Sequence, residues 1–75
     1  MNIEPYMSER YYYLGESNEL FTCGKQYKIV EVDYHWDRSL GKVVYITDNE
    51  YPNTRDIDYC SVFTLNSFYK YFKKY

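Results

Sequence analysis

The residues of this chain that could support catalysis are few and scattered. It contains one histidine, His35, and two cysteines, Cys23 and Cys60. A thiolate nucleophile needs a neighbouring base or cation that lowers its pKa, and His35 could in principle supply one to either cysteine. No spacing favours such a pair, because the three residues stand in separate segments. We interpret Cys60 as a small strand residue and His35 as a solvated loop residue, and we predict that the protein is not an enzyme.

The patterns that bind metals and phosphates are also missing from the sequence. Cys23, His35 and Cys60 show neither CxxC nor HxxxH spacing, and a structural zinc ion usually takes four ligands. The acidic segment Asp48–Glu50 lacks the alternating ligands and the glycine of a calcium loop. The glycines are scattered and form no phosphate-binding loop. We therefore predict no metal site, no catalytic residues and no cofactor.

The feature that does stand out is tyrosine content. The chain has 12 Tyr, 4 Phe and 1 Trp among 75 residues. A chain of this length forms one domain with a small core, so that many tyrosines cannot all be buried and several must face outward. A tyrosine ring offers a recognition surface a large apolar area at low entropic cost. The excess favours protein binding, although half-exposed strands also favour tyrosine.

Charge and hydropathy restrict the partners and the compartment. The formal net charge is −2, so no overall positive field attracts nucleic acid. Residues 1–24 carry −3 and residues 59–75 carry +3, and these ends could pair with each other or with a second copy of the chain. No stretch approaches the ~20 apolar residues that cross a bilayer, and no signal peptide is evident. We expect a cytosolic protein with reduced thiols and no membrane partner.

Four runs of β-favouring residues are separated by turn signals. Gly24 precedes the second run, where a positive φ or a close backbone approach would favour glycine. That run is apolar on both faces with a switch in the middle, which is typical of a bulged strand. In the third run we predict that Val44 and Ile46 face inward, and that Val43, Tyr45 and Thr47 face outward. The predicted strands are Arg10–Gly15, Gln26–Tyr34, Lys42–Thr47 and Ile57–Phe63.

The C-terminal segment has the period of a helix. Leu65, Phe68, Phe72 and Tyr75 fall on one helical face, with Thr64 or Asn66 as the N-cap. The alternative is a final aromatic strand. Four to five short strands at this spacing indicate a mainly β domain, a small sandwich or barrel, with a short C-terminal helix. We predict one domain over residues 1–75, with residues 1–9 loosely structured.

Two segments resemble a known group of proteins. "FTCGKQYKIVEVD" (Phe21–Asp33) followed by "GKVVYITDNE" (Gly41–Glu50) resembles the small SH3-like β-barrel proteins carried by bacteriophages of Gram-positive hosts. The sequence departs from that pattern after Asn49, where "EYPNTR" replaces the usual turn glycine. The matching residues are Phe21, Thr22, Gly24, Lys25, Tyr27, Ile46, Thr47, Asp48 and Asn49.

The resemblance implies a fold and a biological context. The fold would be a small SH3-like barrel of four to five strands. Characterised members of the group tend to be early-expressed proteins that bind and disable a host protein. This chain would then act in the host bacterial cytoplasm, binding a host bacterial protein and inhibiting it by steric blocking. Fold alone does not determine function.

Two loops carry the residue types that dominate protein interfaces. The loops "YHWDR" and "EYPNTR" hold Tyr, Trp and Arg, and in SH3-type barrels such loops lie near one another, so we expect a single patch. The alternative for Trp36 is a lid over the end of the barrel. The predicted partner-binding residues are Tyr34, Trp36, Arg38, Tyr51 and Arg55, followed by Tyr11, Tyr12 and Tyr13.

The sequence is also compatible with two other functions. Small barrels bind single-stranded nucleic acid by stacking bases on aromatic rings over a basic groove. The aromatic rings are present, but Lys25, Lys28, Lys42 and Arg55 are interleaved with acidic residues along the sequence. The third alternative is a structural component that forms homo-oligomers, for which pairing of edge strands would be one route.

Overall fold

The computed structural model describes residues 5–74. Over that range five antiparallel strands form one sheet in the order β4-β3-β2-β1-β5, which curls into a half-barrel. A short helix, α1 (Leu65–Tyr71), connects the two edge strands. The predicted fold class, a mainly β SH3-like barrel with a short C-terminal helix, is confirmed. The strands are β1 Arg10–Tyr13, β2 Gln26–Tyr34, β3 Lys42–Ile46, β4 Ser61–Thr64 and β5 Phe72–Lys74.

Strand β2 is bulged, as its sequence predicts. Its first half pairs with β1 and its second half with β3, and the register with β3 shifts between Ile29 and Glu31. The extra residue is Val30, and a bulge of this kind bends the strand and reverses its alternation. Tyr27 and Ile29 therefore face the core before the bulge, whereas Val32 packs against the core after it. This reversal explains why both faces of the strand are apolar.

The core of the barrel is mainly aromatic. Phe68 of α1 stacks on Phe72 at 5.0 Å between ring centroids and meets Tyr11 edge-on at 4.8 Å. Phe21 contacts Tyr27 and Tyr13 at 4.9 and 5.1 Å. Offset and edge-to-face pairs contribute about 0.5–1.5 kcal/mol each beyond the area they bury. Dense aromatic packing is thus what stabilises so short a chain.

The turn before β2 depends on Gly24. Its φ is +83°, a conformation that residues with a Cβ rarely adopt. The N–H of Gly24 donates to the carbonyl of Tyr13 at 2.7 Å, and the N–H of Tyr13 donates to the carbonyl of Lys25 at 3.0 Å. The turn therefore extends the β1–β2 pairing beyond the ends of the two strands, and the predicted role of Gly24 is confirmed.

Strand β3 is more buried than its alternation predicts. Val44 and Ile46 face the core, as expected. Val43 and Thr47 were expected to face outward, but they are only 0% and 2% exposed. The Thr47 hydroxyl accepts a hydrogen bond from the N–H of Lys28 at 2.9 Å, so its polar atom is satisfied inside the protein. The expectation for these two residues is wrong because β3 lies between β2 and β4, and its consecutive residues Val43 and Val44, which face opposite sides of the sheet, are both fully buried.

The last third of the chain differs from the prediction in two places. Ile57–Tyr59 was expected to begin a strand but forms a 3-10 turn, capped by the Asp56 carboxylate, which accepts from the N–H of Asp58. Thr64 is the N-cap of α1, since its side chain accepts from the N–H of Ser67. The helix ends at Tyr71 and β5 follows, so the helical prediction and its strand alternative each describe part of the segment. Tyr75 lies outside the described residues.

The segment before β1 is tied to the sheet. The N–H of Ser8 donates to the carbonyl of Ile29 at 2.8 Å, and the N–H of Ile29 donates to the carbonyl of Glu9 at 2.9 Å. Pro5 is buried. Of the residues predicted to be loose, residues 5–9 are thus held against β2 within the described chain, whereas residues 1–4 lie outside it.

An ion pair between Glu9 and Lys74 ties β5 to the start of β1. The hydrogen bond from Lys74 lowers the pKa of the Glu9 carboxyl group, and the Tyr6 N–H adds to the effect. A depressed folded-state pKa stabilises the fold above the unfolded-state pKa, and that contribution is lost as the pH falls through the folded-state pKa. We expect Glu9→Gln to lower the free energy of unfolding by about 0.5–1 kcal/mol at pH 7, because the pair is partly exposed.

Urea denaturation of Glu9→Gln and the wild type at several pH values would test this. The difference between the two proteins should shrink as the pH falls below the ordinary glutamate pKa of about 4.3. Glu19→Gln, at an exposed position in the β1–β2 loop, is the matched control and should have little effect at any pH. A difference that stays constant down to pH 3 would mean that the glutamine variant lacks something other than the carboxylate charge.

Candidate functional site

The β2–β3 connection forms a compact hairpin tip, defined as residues 34–41. Tyr34 lies opposite Lys42 in the sheet, and the N–H of His35 donates to the carbonyl of Gly41 at 2.9 Å. Inside the turn, the N–H and hydroxyl of Ser39 donate to the Asp37 carboxylate at 3.0 and 2.7 Å. These bonds lower the pKa of Asp37. The hairpin tip is therefore held by its own hydrogen bonds.

The hairpin tip presents two aromatic rings to solvent. Trp36 is 87% exposed and Tyr34 is 73% exposed. The His35 ring lies 5.0 Å from the Trp36 ring, and His35 Nδ1 accepts from the N–H of Asp37 at 3.0 Å. Lys42 Nζ lies 5.4 Å from the centre of the Tyr34 ring. A ring as exposed as Trp36 covers nothing, so the alternative that it is a lid over the barrel is wrong.

The two predicted contact loops do not form one patch. The hairpin tip precedes Lys42 at one end of β3, and the loop holding Tyr51 and Arg55 follows Ile46 at the other end. At about 3.3 Å per residue, β3 separates them by roughly 13 Å. The Tyr51 ring instead lies 4.9 Å from that of Tyr59. The expectation of one shared patch is wrong, because the two loops leave opposite ends of the same strand.

The three consecutive tyrosines of β1 divide between its two faces. Tyr11 and Tyr13 belong to the core. Burial of Tyr11, with the nearby Glu9 charge, raises the pKa of its hydroxyl to about 12. Tyr12 lies on the outer face, where its hydroxyl accepts from the Gln26 side chain at 3.3 Å. Because strand side chains alternate, only Tyr12 of the three is placed to meet a partner.

Several of the residues on which the resemblance rests form side-chain hydrogen bonds that stabilise the fold. Asn49 Oδ1 accepts from the Tyr27 hydroxyl at 2.9 Å and from Lys25 Nζ at 3.0 Å. Asn49 Nδ2 donates to the Thr22 hydroxyl at 3.2 Å and to the Glu19 carbonyl at 3.4 Å. These side chains join the β1–β2 loop to the chain that leaves β3. This group of contacts, centred on Asn49, is named the asparagine clasp.

The cysteines and the histidine are not brought together. His35 lies at the hairpin tip, and Cys60 lies at the other end of β3, just before Ser61, which pairs with Ile46. Burial, with the charges of Asp48 and Asp56, raises the pKa of the Cys60 thiol to about 11. Cys23 is exposed in the β1–β2 loop. Among residues 5–74 no group of three or more metal-binding side chains is present.

Two concave surfaces could not be predicted from the sequence, because segments that are far apart in the chain line them. An apolar groove of about 480 Å³ runs between the β1–β2 loop and β4, and its lining includes Tyr13, Phe21, Phe63 and Tyr71. A second, polar depression combines Arg10 and Lys28 with residues 52–55. The sequence contains one indication of the polar depression, which is the spacing of charged residues in β1 and β2. Only the strand register shows that these charges share the outer face.

Within residues 5–74, no helix has the length and apolar character needed to cross a membrane. Comparison of the chain with models of protein families, with curated proteins and with solved structures finds no match.

Proposed function

We propose that the protein binds another protein through the hairpin tip and blocks that protein's own interactions. The observation that carries the proposal is the exposure of both Trp36 and Tyr34, two positions apart, at a hydrogen-bonded turn. Exposing a tryptophan in water leaves open an apolar area whose burial would be favourable by about 25 cal/mol per Å2. Tryptophan, tyrosine and arginine are the residues that most often dominate binding energy in interfaces, and Arg38 is exposed in the same turn.

The rigidity of the hairpin tip adds to this argument. A partner that binds a mobile loop must order it, at about 0.5–1.5 kcal/mol for each immobilised side chain. Here Asp37 already fixes the turn, and His35 and Lys42 already lie against the two rings. These contacts would lower the ordering cost that a partner has to meet on binding. A small rigid domain that fills a partner's pocket with Trp36 would exclude larger ligands from that pocket, which is inhibition by steric blocking.

The biological context rests on the resemblance of two segments to phage proteins. That resemblance supports a bacteriophage-encoded protein that acts in the host bacterial cytoplasm on a host bacterial protein.

The alternative of single-stranded nucleic-acid binding leads to a different salt dependence. A protein that follows phosphates loses affinity steeply as salt rises, whereas an aromatic interface loses little.

A capture experiment with paired variants tests the proposal. The tagged protein is incubated with lysate of a Gram-positive bacterium, with and without nuclease treatment, and the captured protein is then purified for titration calorimetry. We expect Tyr34→Ala with Trp36→Ala to weaken binding at least 100-fold, since each anchor contributes about 2 kcal/mol or more. Tyr6→Ala removes a similarly exposed ring, 68% exposed, from another surface and should bind like the wild type.

Three results would contradict the proposal. The double variant could bind as tightly as the wild type, which would exclude the hairpin tip as the contact surface. Binding could disappear with nuclease treatment, which would favour nucleic acid. The affinity could also fall by several orders of magnitude between 50 and 500 mM salt, which would indicate phosphate contacts rather than an aromatic interface. Circular dichroism of each variant would confirm that the fold is unchanged.

A further inference from the structure

We propose that the outer face of β1 and β2 carries a binding site for phosphate esters, separate from the hairpin tip. The site, named the cationic cleft, is the depression lined by Arg10, Lys28 and residues 52–55, including Arg55. Its volume is about 210 Å³, enough for a phosphate group. The proposal does not depend on the protein-binding function, because the hairpin tip begins at the far end of β2.

Strand register brings two of the cations together. Arg10 and Lys28 are directly opposite each other in the β1–β2 ladder, so their side chains lie on the same face. Their neighbours Tyr11 and Tyr27, also opposite each other, are buried in the core. Arg10 and Lys28 therefore both face away from the core. Strand register and side-chain alternation thus place two charges that are far apart in sequence next to each other on the outer face.

The third cation comes from the loop after β3. Arg55 lies beside Lys28, and the turn around it is fixed by the Thr54 hydroxyl, which accepts from the N–H of Asp56 at 3.1 Å. The start of the same loop is held by Asp48, whose carboxylate accepts from the N–H groups of Glu50 and Tyr51 and from the Ser61 hydroxyl. The segment that departs from the phage-protein pattern is thus the one that delivers Arg55.

These three positive charges have no hydrogen-bonded or ion-paired carboxylate within the described chain. No hydrogen bond or ion pair among residues 5–74 involves the side chains of Arg10, Lys28 or Arg55. No aspartate or glutamate lines the cleft. The nearest acidic residues along the chain act elsewhere, since Glu9 pairs with Lys74 and Asp56 accepts from the N–H of Asp58. In a protein of net charge −2, three unpaired cations in one depression form a site for an anion.

A neighbouring depression indicates which kind of group the phosphate would carry. It adjoins the cationic cleft, shares Lys28, Thr54 and Arg55 with it, and has a volume of about 290 Å³. Its remaining walls include Met7 and Val30, which are apolar. Ser8, at its rim, has a φ of +71°, and strained backbone of this kind tends to occur near functional sites. A phosphate joined to an apolar or planar group would fill both depressions.

The chemistry of the ligand is therefore a phosphate ester, and it has two sources. One is a small phosphate ester such as a nucleotide. The other is a phosphate of a single-stranded nucleic acid, whose neighbouring base would occupy the apolar depression. Arg and Lys bind phosphate oxygens through short charge-assisted hydrogen bonds, so both sources would use the same three side chains.

The test is a nuclear magnetic resonance titration of the 15N-labelled full chain at constant ionic strength. Inorganic phosphate, phenyl phosphate and a single-stranded oligo-dT of eight nucleotides are the probes, and sodium chloride is the blank. We expect saturable shifts of the Lys28, Thr54 and Arg55 amides, with phenyl phosphate binding several-fold more tightly than phosphate. Lys28→Gln with Arg55→Gln should weaken phenyl phosphate binding at least tenfold. Arg38→Gln with Lys70→Gln removes the same charge elsewhere and should leave binding unchanged.

Each result of the titration either upholds or overturns the proposal. If phosphate and phenyl phosphate cause no saturable shift beyond the chloride blank, or if the control pair weakens binding as much as the cleft pair, the proposal is overturned. If oligo-dT displaces phenyl phosphate and binds more tightly, the site is upheld and its source is a nucleic-acid strand. If oligo-dT binds no more tightly than phenyl phosphate, the site is upheld with small phosphate esters as its ligands.

Discussion

Phe68→Ala is expected to lower the free energy of unfolding by about 3–5 kcal/mol, the usual cost of removing a fully buried phenyl ring. Phe68 is the only residue of α1 that is fully buried within the described chain, and its ring contacts Tyr11 and Phe72. A domain of this size has roughly 4–11 kcal/mol of stability in all. The variant should therefore be partly or wholly unfolded at 37 °C.

Urea denaturation followed by circular dichroism would measure the loss. Phe68→Leu is the matched control, because it keeps most of the apolar volume and should cost about 1–1.5 kcal/mol. Val62→Ala, on the exposed face of β4, should change stability by less than about 1 kcal/mol. If Phe68→Ala lost no more than Val62→Ala, α1 would not be packed on the sheet as described.

Asn49→Ala is expected to cost about 2–3 kcal/mol, the second largest effect. The substitution removes all the side-chain bonds of the asparagine clasp at once. It also leaves the hydroxyl of the buried Tyr27 without its acceptor, although that oxygen still accepts from the N–H of Thr22 at 2.6 Å. A buried polar group that loses its partner costs about 1–3 kcal/mol.

A double-mutant cycle with Tyr27→Phe would separate the clasp from general loop effects. If the two side chains act through their hydrogen bond, Tyr27→Phe should cost less in the Asn49→Ala protein than in the wild type, by about 1 kcal/mol. Asn53→Ala, at an exposed position in the loop after β3, is the single-residue control and should be nearly neutral. Strictly additive costs would show that Asn49 acts without its hydrogen bond to Tyr27.

Local sequence patterns were sufficient to predict most of the fold. The bulge in β2 could be predicted from a strand that is apolar on both faces, and the position before the helical period gave Thr64 as one of two N-cap candidates, the other being Asn66. The third strand was placed correctly but Val43 and Thr47 were not, because burial of both faces depends on neighbours that the period of two does not specify. Ile57–Tyr59 is β-favouring in sequence, yet it forms a 3-10 turn because the Asp56 side chain caps it by accepting from the N–H of Asp58.

The candidate site was only partly predictable. Exposure of Tyr34 and Trp36 follows from their place at the end of β2 and in the short turn after it. The separation of the hairpin tip from Tyr51 and Arg55 depends on which ends of β3 the loops leave, and resemblance suggested the opposite. The cationic cleft was out of reach, because Arg10, Lys28 and Arg55 meet only through strand register and the path of one loop.

Pairing of β1 with β5 has a consequence for how the chain is made. Tyr13 and Phe72 are register partners about sixty residues apart, so β1 lacks its outer neighbour until the last strand has been synthesised. At roughly 5–20 residues per second, translation leaves β1 waiting for about 3–12 s. Barrels of this kind fold in roughly milliseconds to seconds, so the ribosome and not the folding barrier sets the pace. Until then Tyr11 and Tyr13, which are buried in the folded domain, lack the ring contacts that α1 and β5 supply.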